Sequence, residues 1–169
     1  MKNLFVQTTG ILIVLLLHGC KTNYSFTGAS IAPEVKTVSV QYFPNYAPLI
    51  QPTLSQAFTE MLKDKFLSET GLILVDGTGD MNFEGAITGY SVSPLAIQAN
   101  ETAALNRLTI TVNVKFTNAK DEKQDFESSF SKYEDYESSL NLSSVEEGLI
   151  KQINAQLVEA IFNKAVVNW

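Results

Sequence analysis

The chain is 169 residues long and acidic, with 12 basic residues, 18 acidic residues and a formal net charge of −6. This balance argues against general nucleic-acid binding, which requires a basic surface. Cys20 is the only cysteine, so no disulfide can form within the chain, and an apolar core must stabilise the fold.

Residues 1–20 have the layout of a bacterial secretion signal. Lys2 precedes an unbroken apolar run, Ile11–Leu17, which is followed by His18, Gly19 and Cys20. A small residue directly before a cysteine resembles the lipobox, in which the cysteine is acylated and becomes the first residue of the mature protein. We therefore expect residues 1–19 to be a cleaved signal peptide and Cys20 to be lipidated.

Three other interpretations of this segment compete with the lipobox. The apolar run is far shorter than the roughly 20 residues that a transmembrane helix needs. An ordinary signal peptide with a free thiol at Cys20, or a buried segment of a cytosolic domain, leaves the position of the only cysteine to chance. A lipobox accounts for that position.

The expected cleavage removes the only histidine, His18, and thereby excludes whole classes of active site. Without histidine or an available thiol, the mature chain cannot build Ser-His-Asp or Cys-His nucleophilic machinery, or the usual zinc sites. Gly77-Thr78-Gly79 is too short to cradle a nucleotide and predicts a turn. We expect no enzymatic activity, no cofactor and no metal.

After cleavage about 150 residues remain, which suits a single domain. Residues 20–35 are predicted to be the lipidated N-terminus and a tether, and residues 36–169 one α+β domain. The domain begins with alternating residues that predict a strand over Lys36–Phe43. A helix follows over Thr53–Thr70, with a capping box at Thr53 and Gln56. Gly71 is predicted to end this helix in a left-handed conformation.

Two apolar segments follow this helix, separated by a turn over Asp76–Asp80. Leu72–Val75 predicts a short strand, and Phe83–Val92 predicts a second one. Gly85 and Gly89 within the second segment suggest a bulge or a close backbone approach. Leu95–Ala104 is predicted to be a loop or hairpin tip.

Asn106–Thr117 is the clearest strand pattern in the chain. Every second residue is apolar and is predicted to face the core: Leu108, Ile110, Val112, Val114 and Phe116. The residues between them are polar. After a turn, Phe126–Tyr133 predicts the next strand, and the acidic residues beyond it suggest a solvated strand end.

The last element is a long helix over about Ser143–Val166, with a second capping box at Ser143 and Glu146. Its apolar stripe is wide, which predicts packing on a sheet or against a second partner: Val145, Leu149, Ile150, Ile153, Leu157, Val158, Ile161, Phe162 and Ala165. Trp169, the last residue, is expected either to cover the edge of the core or to mark a docking surface.

This order of elements predicts an α+β fold, a two-layer sandwich with two helices packed on one face of a mostly antiparallel, roughly four-stranded sheet. Over the whole mature chain the pattern resembles the lipopolysaccharide-assembly lipoprotein family LptE. The features that carry the resemblance are the Gly19-Cys20 signal, the early strand and helix, and the Asn100-Glu101-Thr102-Ala103-Ala104 segment leading into the alternating strand. The stretches over residues 53–60 and 161–169 also look like members with short C-termini.

The resemblance implies a non-enzymatic outer-membrane lipoprotein. Family members dock inside a large β-barrel, LptD, help that barrel to assemble and touch lipopolysaccharide on its way to the outer leaflet. The implied location is the outer membrane, lipid-anchored, with the domain on the periplasmic side or within the barrel lumen. A lipid-anchored binding module for a small ligand or an envelope polymer is the alternative, and it would need a concave apolar pocket.

Arg107 and Lys115 are the candidate contact residues, because their parity places both on the polar face of the clearest strand. Contact with lipopolysaccharide phosphates would need cations. Lys132 on the next strand shares its parity with Phe130 and so belongs to the core-side edge. Ordinary surface charge is the other interpretation of Arg107 and Lys115, and the acidic composition of the chain argues against phosphate binding.

Overall fold

The computed structural model of the chain describes residues 31–49, 51–95 and 104–166. Within these ranges the chain forms two helices and five strands. They are β1 (Thr37–Val40), α1 (Leu54–Glu69), β2 (Ile73–Leu74), β3 (Met81–Pro94), β4 (Leu105–Asn118), β5 (Phe126–Glu137) and α2 (Leu142–Val166). A short 3-10 turn, Glu122–Gln124, joins β4 to β5.

The strands form one mixed sheet in the order β2-β1-β3-β4-β5. β1 runs parallel to both β2 and β3, whereas β3, β4 and β5 form an antiparallel meander. The α+β class was therefore predicted correctly, but the mostly antiparallel, four-stranded sheet was wrong. The two apolar segments around the Gly77 turn lie on opposite sides of β1, so they form separate strands that are both parallel to it.

The connection between β2 and β3 explains this arrangement, because it crosses closely over β1. Gly77 has a φ of 96°, in the left-handed region that favours glycine. Gly79 lies so close to β1 that an added Cβ would be 3.0 Å from the Ser39 backbone nitrogen. Asp80 then accepts hydrogen bonds from the backbone N–H groups of Lys36 and Thr37, at 2.9 and 3.0 Å. These contacts tie the start of β3 to the start of β1.

Glycines in β3 allow the sheet to bend and to pack closely, as predicted. The register between β3 and β4 shifts between Ile87 and Gly89, which marks a bulge. At Gly85 an added Cβ would lie 2.0 Å from the backbone oxygen of Asn113 on β4. A side chain at Gly85 would therefore displace one of the two central strands.

Both helices begin differently from the prediction. At α1 the side-chain oxygen of Gln51, rather than a capping box at Thr53 and Gln56, accepts from the backbone N–H of Leu54 at 2.9 Å. At α2 the side-chain oxygen of Asn141 accepts from the backbone N–H of Ser143 at 3.2 Å. Each capping side chain lies two residues before the predicted one, because Gln51 and Asn141 reach the free N–H groups of the first helical turn.

The remaining partners at the helix ends also differ from the prediction. Glu146, predicted to complete the second capping box, instead accepts a hydrogen bond from the Tyr90 hydroxyl on β3. At the end of α1 the backbone does not enter the left-handed region at Gly71. Thr70 takes an extended conformation, and its hydroxyl donates to the carbonyl oxygen of Phe66.

The core lies between the two helices and one face of the sheet. Phe66 of α1 packs against Phe83 of β3 and Phe162 of α2, with ring centroids 4.7 and 5.1 Å apart, and Phe83 packs against Phe116 of β4. All five predicted core residues of β4 are fully buried. The wide apolar stripe of α2 is explained because this helix packs on the sheet and on α1 at once.

Candidate functional site

Among the described residues, both helices pack on one face of the antiparallel meander and leave its outer face open. Its β4 residues are Arg107, Lys115 and the polar residues between them, confirming the predicted parity. At about 3.3 Å per residue, the 14-residue strands β3 and β4 are each about 46 Å long. The meander therefore presents a long, narrow and mainly polar surface.

Arg107 is fixed on this face by β5. Its Nε and one terminal nitrogen donate to the two carboxylate oxygens of Asp135 at 2.7 and 2.9 Å. Its guanidinium carbon lies 3.5 Å from the ring centroid of Tyr133, a cation–π contact. Donation of these hydrogen bonds to Asp135 raises the pKa of Arg107 and lowers the pKa of Asp135.

Lys115 makes a comparable contact with β3, and its Nζ lies 2.8 Å from a carboxylate oxygen of Glu84. The hydrogen bond that Lys115 donates to Glu84 raises the pKa of Lys115. Eight residues separate Lys115 from Arg107, which places them about 26 Å apart along the strand. The structure therefore places both predicted cations on one face but does not bring them together.

Acidic groups outnumber basic ones on this open face. The strand register places two cations on the open side of β3–β5, namely Arg107 and Lys115, together with four carboxylates, Glu84, Glu127, Asp135 and Glu137. Lys132 pairs with Ile110 and so belongs to the helix-covered side, as predicted. The net charge of the face disfavours a phosphate-rich ligand and favours a polar protein surface.

β5 is longer than predicted: it ends at Glu137 rather than at Tyr133. The acidic residues after Tyr133 were interpreted as a solvated strand end. Pairing continues to Glu137, since Arg107 on β4 neutralises Asp135 and Tyr136 turns into the core. Asp135 and Glu137 are thus part of the open sheet face, whereas Glu134 faces the helix layer and accepts a hydrogen bond from Gln156.

A cavity of about 570 Å³ lies between the first halves of α1 and α2. We call it the inter-helix cavity; Ala57 and Met61 of α1 and Ile150 and Asn154 of α2 are among the residues that line it. At the other end the helices close up, because Phe66 packs on Phe162 and Lys65 lies 2.6 Å from Glu159. The helices therefore run side by side in the same direction, and a smaller cavity of about 320 Å³ lies further along them, between Asp64 of α1 and Ala155 of α2.

Asn154 is the unusual residue of this cavity. It is 0% exposed, and neither its Oδ1 nor its Nδ2 has a hydrogen-bond partner among the described residues. Leaving a buried polar group unsatisfied costs about 1–3 kcal/mol, so buried amides nearly always have partners. The sequence contains the signal for this residue: Ile150, Asn154 and Val158 are spaced four apart, which places an amide in the middle of an apolar row.

No helix in the described part of the chain is both long and apolar enough to cross a bilayer. In the same residues, His, Cys, Asp and Glu side chains form no group of three that could hold a metal ion. The signal segment, Cys20 and Trp169 lie outside the described residues, and so does most of the loop after β3.

A family model described as "LptE: Lipopolysaccharide-assembly" matches residues 35–165 of the chain. The chain belongs to the LptE family. The match spans the domain from just before β1 nearly to the end of α2, as the sequence resemblance predicted. A comparison with curated proteins finds no match.

Two solved structures illustrate the shared fold. A minor lipoprotein from Acinetobacter baumannii is 15% identical, with a TM-score of 0.51 over 77% of this chain and 91% of that one. A hypothetical protein from Chlamydia trachomatis is 9% identical, with a TM-score of 0.52 over 79% of this chain and 99% of that one. At these low identities the two structures show that the fold is shared, and nothing more.

Proposed function

We propose that this LptE-family protein is an outer-membrane lipoprotein that docks in an LptD-like β-barrel and helps it to assemble. In this role it supports lipopolysaccharide transport to the outer leaflet and catalyses no reaction. Family membership over residues 35–165 carries the proposal. The anchor is an acylated Cys20, and the three acyl chains usual for lipobox proteins exceed the two signals needed for stable attachment.

The open face of β3–β5 is the surface we assign to the barrel. Barrel interiors are polar, and their membrane band is about 25 Å tall, which the 46 Å length of β3 and β4 exceeds. An exposed face of Thr, Ser, Asn and paired charges suits such a wall better than it suits lipid chains. Its excess of carboxylates over cations supports contact with a protein wall rather than with lipopolysaccharide phosphates.

Arg107 and Lys115 contribute to this contact through the donors that their internal ion pairs leave free. Arg107 retains N–H groups beyond the two that bind Asp135, and Lys115 is 53% exposed beside Glu84. Because each cation is held by a carboxylate, its position is set before docking. The pairs thus fix two donors about 26 Å apart on one rigid strand.

Reversal of both charges tests this assignment. Cells that depend on a variant carrying Arg107→Glu and Lys115→Glu should become permeable to large antibiotics and should lose co-purification of the barrel. The matched control is Lys63→Glu with Lys151→Glu, which reverses two charges in the helix layer and should leave both readouts unchanged. Normal permeability and barrel recovery with the sheet-face variant would overturn the role of this face.

The anchor is tested separately with radiolabelled palmitate. Cys20→Ala should abolish labelling of the protein, because no other cysteine exists in the chain. Unchanged labelling would exclude lipidation at Cys20.

The inter-helix cavity favours a second candidate, the lipid-anchored binding module for a small ligand or an envelope polymer. Such a module needs a concave and largely apolar pocket, and the cavity beside Met61 and Ile150 has a suitable volume. A barrel-free protein that binds a small ligand would favour this candidate.

A further inference from the structure

We propose that the inter-helix cavity is a binding site for an uncharged molecule in which an aliphatic segment adjoins a carboxamide, and that Asn154 pairs with this carboxamide. The cavity provides room, and the buried amide provides the polar recognition. Asn154 belongs to the cavity wall but is fully buried, and both of its amide atoms lack partners among the described residues, so pairing requires the side chain to rotate toward the cavity.

The chemistry of the orphaned amide selects the polar part of the ligand. A side-chain amide offers an acceptor oxygen and two N–H donors, so it is satisfied by a group that presents a donor and an acceptor side by side. A carboxamide does so in one plane. A carboxylate or phosphate offers acceptors alone, and an ammonium group offers donors alone.

The surroundings of Asn154 select an uncharged and partly aliphatic ligand. Ala57, Met61 and Ile150 supply apolar walls of the cavity. Glu146, Glu147 and Lys151 also line the cavity, and this excess of carboxylates opposes an anion. The volume of about 570 Å³ lies within the roughly 300–1,000 Å³ range of small-molecule sites.

This site is separate from the surface proposed to meet the barrel. The cavity belongs to the helix layer, whereas Arg107 and Lys115 lie on the opposite face of the sheet. Ligand binding and barrel docking can therefore succeed or fail independently.

Methionine methyl groups provide a direct readout in the full-length protein held in lipid nanodiscs. Met61 lines the cavity, whereas Met81 is buried in the sheet core and reports any general disturbance. The probes are hexanamide, 2-heptanone, in which a methyl group replaces the amide nitrogen, and hexanoate, which is anionic. Empty nanodiscs correct the free concentration of each probe for uptake by lipid.

Hexanamide should shift the Met61 methyl signal saturably, leave Met81 unchanged and bind about tenfold more tightly than 2-heptanone, because only the amide donates to Asn154. Hexanoate should bind more weakly than hexanamide. Equal affinities for hexanamide and 2-heptanone, or equal shifts at both methionines, would overturn the proposal.

Two variants locate the binding. Asn154→Leu should abolish the preference for hexanamide over 2-heptanone. Ala57→Phe should block both probes by filling the cavity from an exposed position, even if the first variant folds poorly. Gln56→Phe is the matched control, because it places the same ring at the neighbouring exposed position and should leave binding unchanged. Retention of the amide preference in Asn154→Leu, or of hexanamide binding in Ala57→Phe, would contradict the assigned site.

Discussion

Replacement of Asn154 by leucine should stabilise the protein, although most core substitutions destabilise. The variant removes two buried polar atoms that have no partners among the described residues. Each unsatisfied group costs about 1–3 kcal/mol, so removing both should release at least about 2 kcal/mol. The additional carbon atoms of leucine can extend toward the adjoining cavity of about 570 Å³ rather than strain the core.

Helix propensity contributes a smaller part of the same effect. Leucine is a better helix former than asparagine by about 0.5 kcal/mol, which must be subtracted. Asn163→Leu provides this correction, because it makes the same exchange on α2, where the amide donates to Glu159 near the surface. The expected net gain at Asn154 corresponds to a rise in Tm of about 4–8 °C for a chain of this size.

Thermal unfolding of the full-length protein in nanodiscs, followed by circular dichroism, measures the difference. Chemical denaturation gives the free energy of unfolding for both variants and the parent. A loss of more than about 1 kcal/mol in Asn154→Leu, with Asn163→Leu unchanged, would mean that the buried amide makes essential hydrogen bonds. That result would refute the reasoning that Asn154 is held unsatisfied.

Three further predictions use the same unfolding measurements. Gly85→Ala should destabilise the protein by at least about 1–3 kcal/mol, because the added Cβ would collide with β4. Gly148→Ala is the control: its Cβ meets no atom within 4 Å, so it should stabilise α2 by about 0.5–1 kcal/mol. Equal effects of the two variants would contradict the close approach of β3 and β4. Hydrogen bonds from the Lys36 backbone, the Lys120 side chain and Thr37 hold the pKa of Asp80 below its usual range. Its stabilising effect is therefore present above the unfolded pKa near 3.8 and is lost as the pH falls through the folded value. Asp80→Asn should therefore lower Tm at pH 7 and flatten its decline in acid, and an unchanged acid profile would exclude this role. Tyr90→Phe should cost about 1–2 kcal/mol by removing the donor to Glu146, and a neutral effect would show that the Tyr90–Glu146 bond adds nothing.

The sequence predicted the elements whose pattern is set by a single periodicity. The alternation over Leu108–Phe116 identified the central strand and its buried face, because one face of that strand is covered and the other is open. The wide stripe on α2 predicted packing on a sheet or against a second partner, and the helix packs on both the sheet and α1. Family resemblance was also visible in the sequence and is confirmed over residues 35–165.

Features that depend on distant partners could not be predicted in this way. The crossing of β1 by residues 75–80 depends on Gly79 packing against the β1 backbone, whereas the local sequence predicted only a turn there. The end of β5 depends on Arg107, which lies 28 residues before Asp135. Whether Asn154 has a partner depends on the side chains that reach it, which only the packed helices reveal.

Purification of the tagged lipoprotein from native outer membranes in mild detergent tests the central proposal most directly. Mass spectrometry then identifies what accompanies it and in what ratio. Docking in an LptD-like barrel predicts a large β-barrel protein in stoichiometric amount, lost when Arg107 and Lys115 are both reversed to glutamate. Recovery of the lipoprotein alone, from membranes in which the barrel is present and solubilised, would contradict the proposed function.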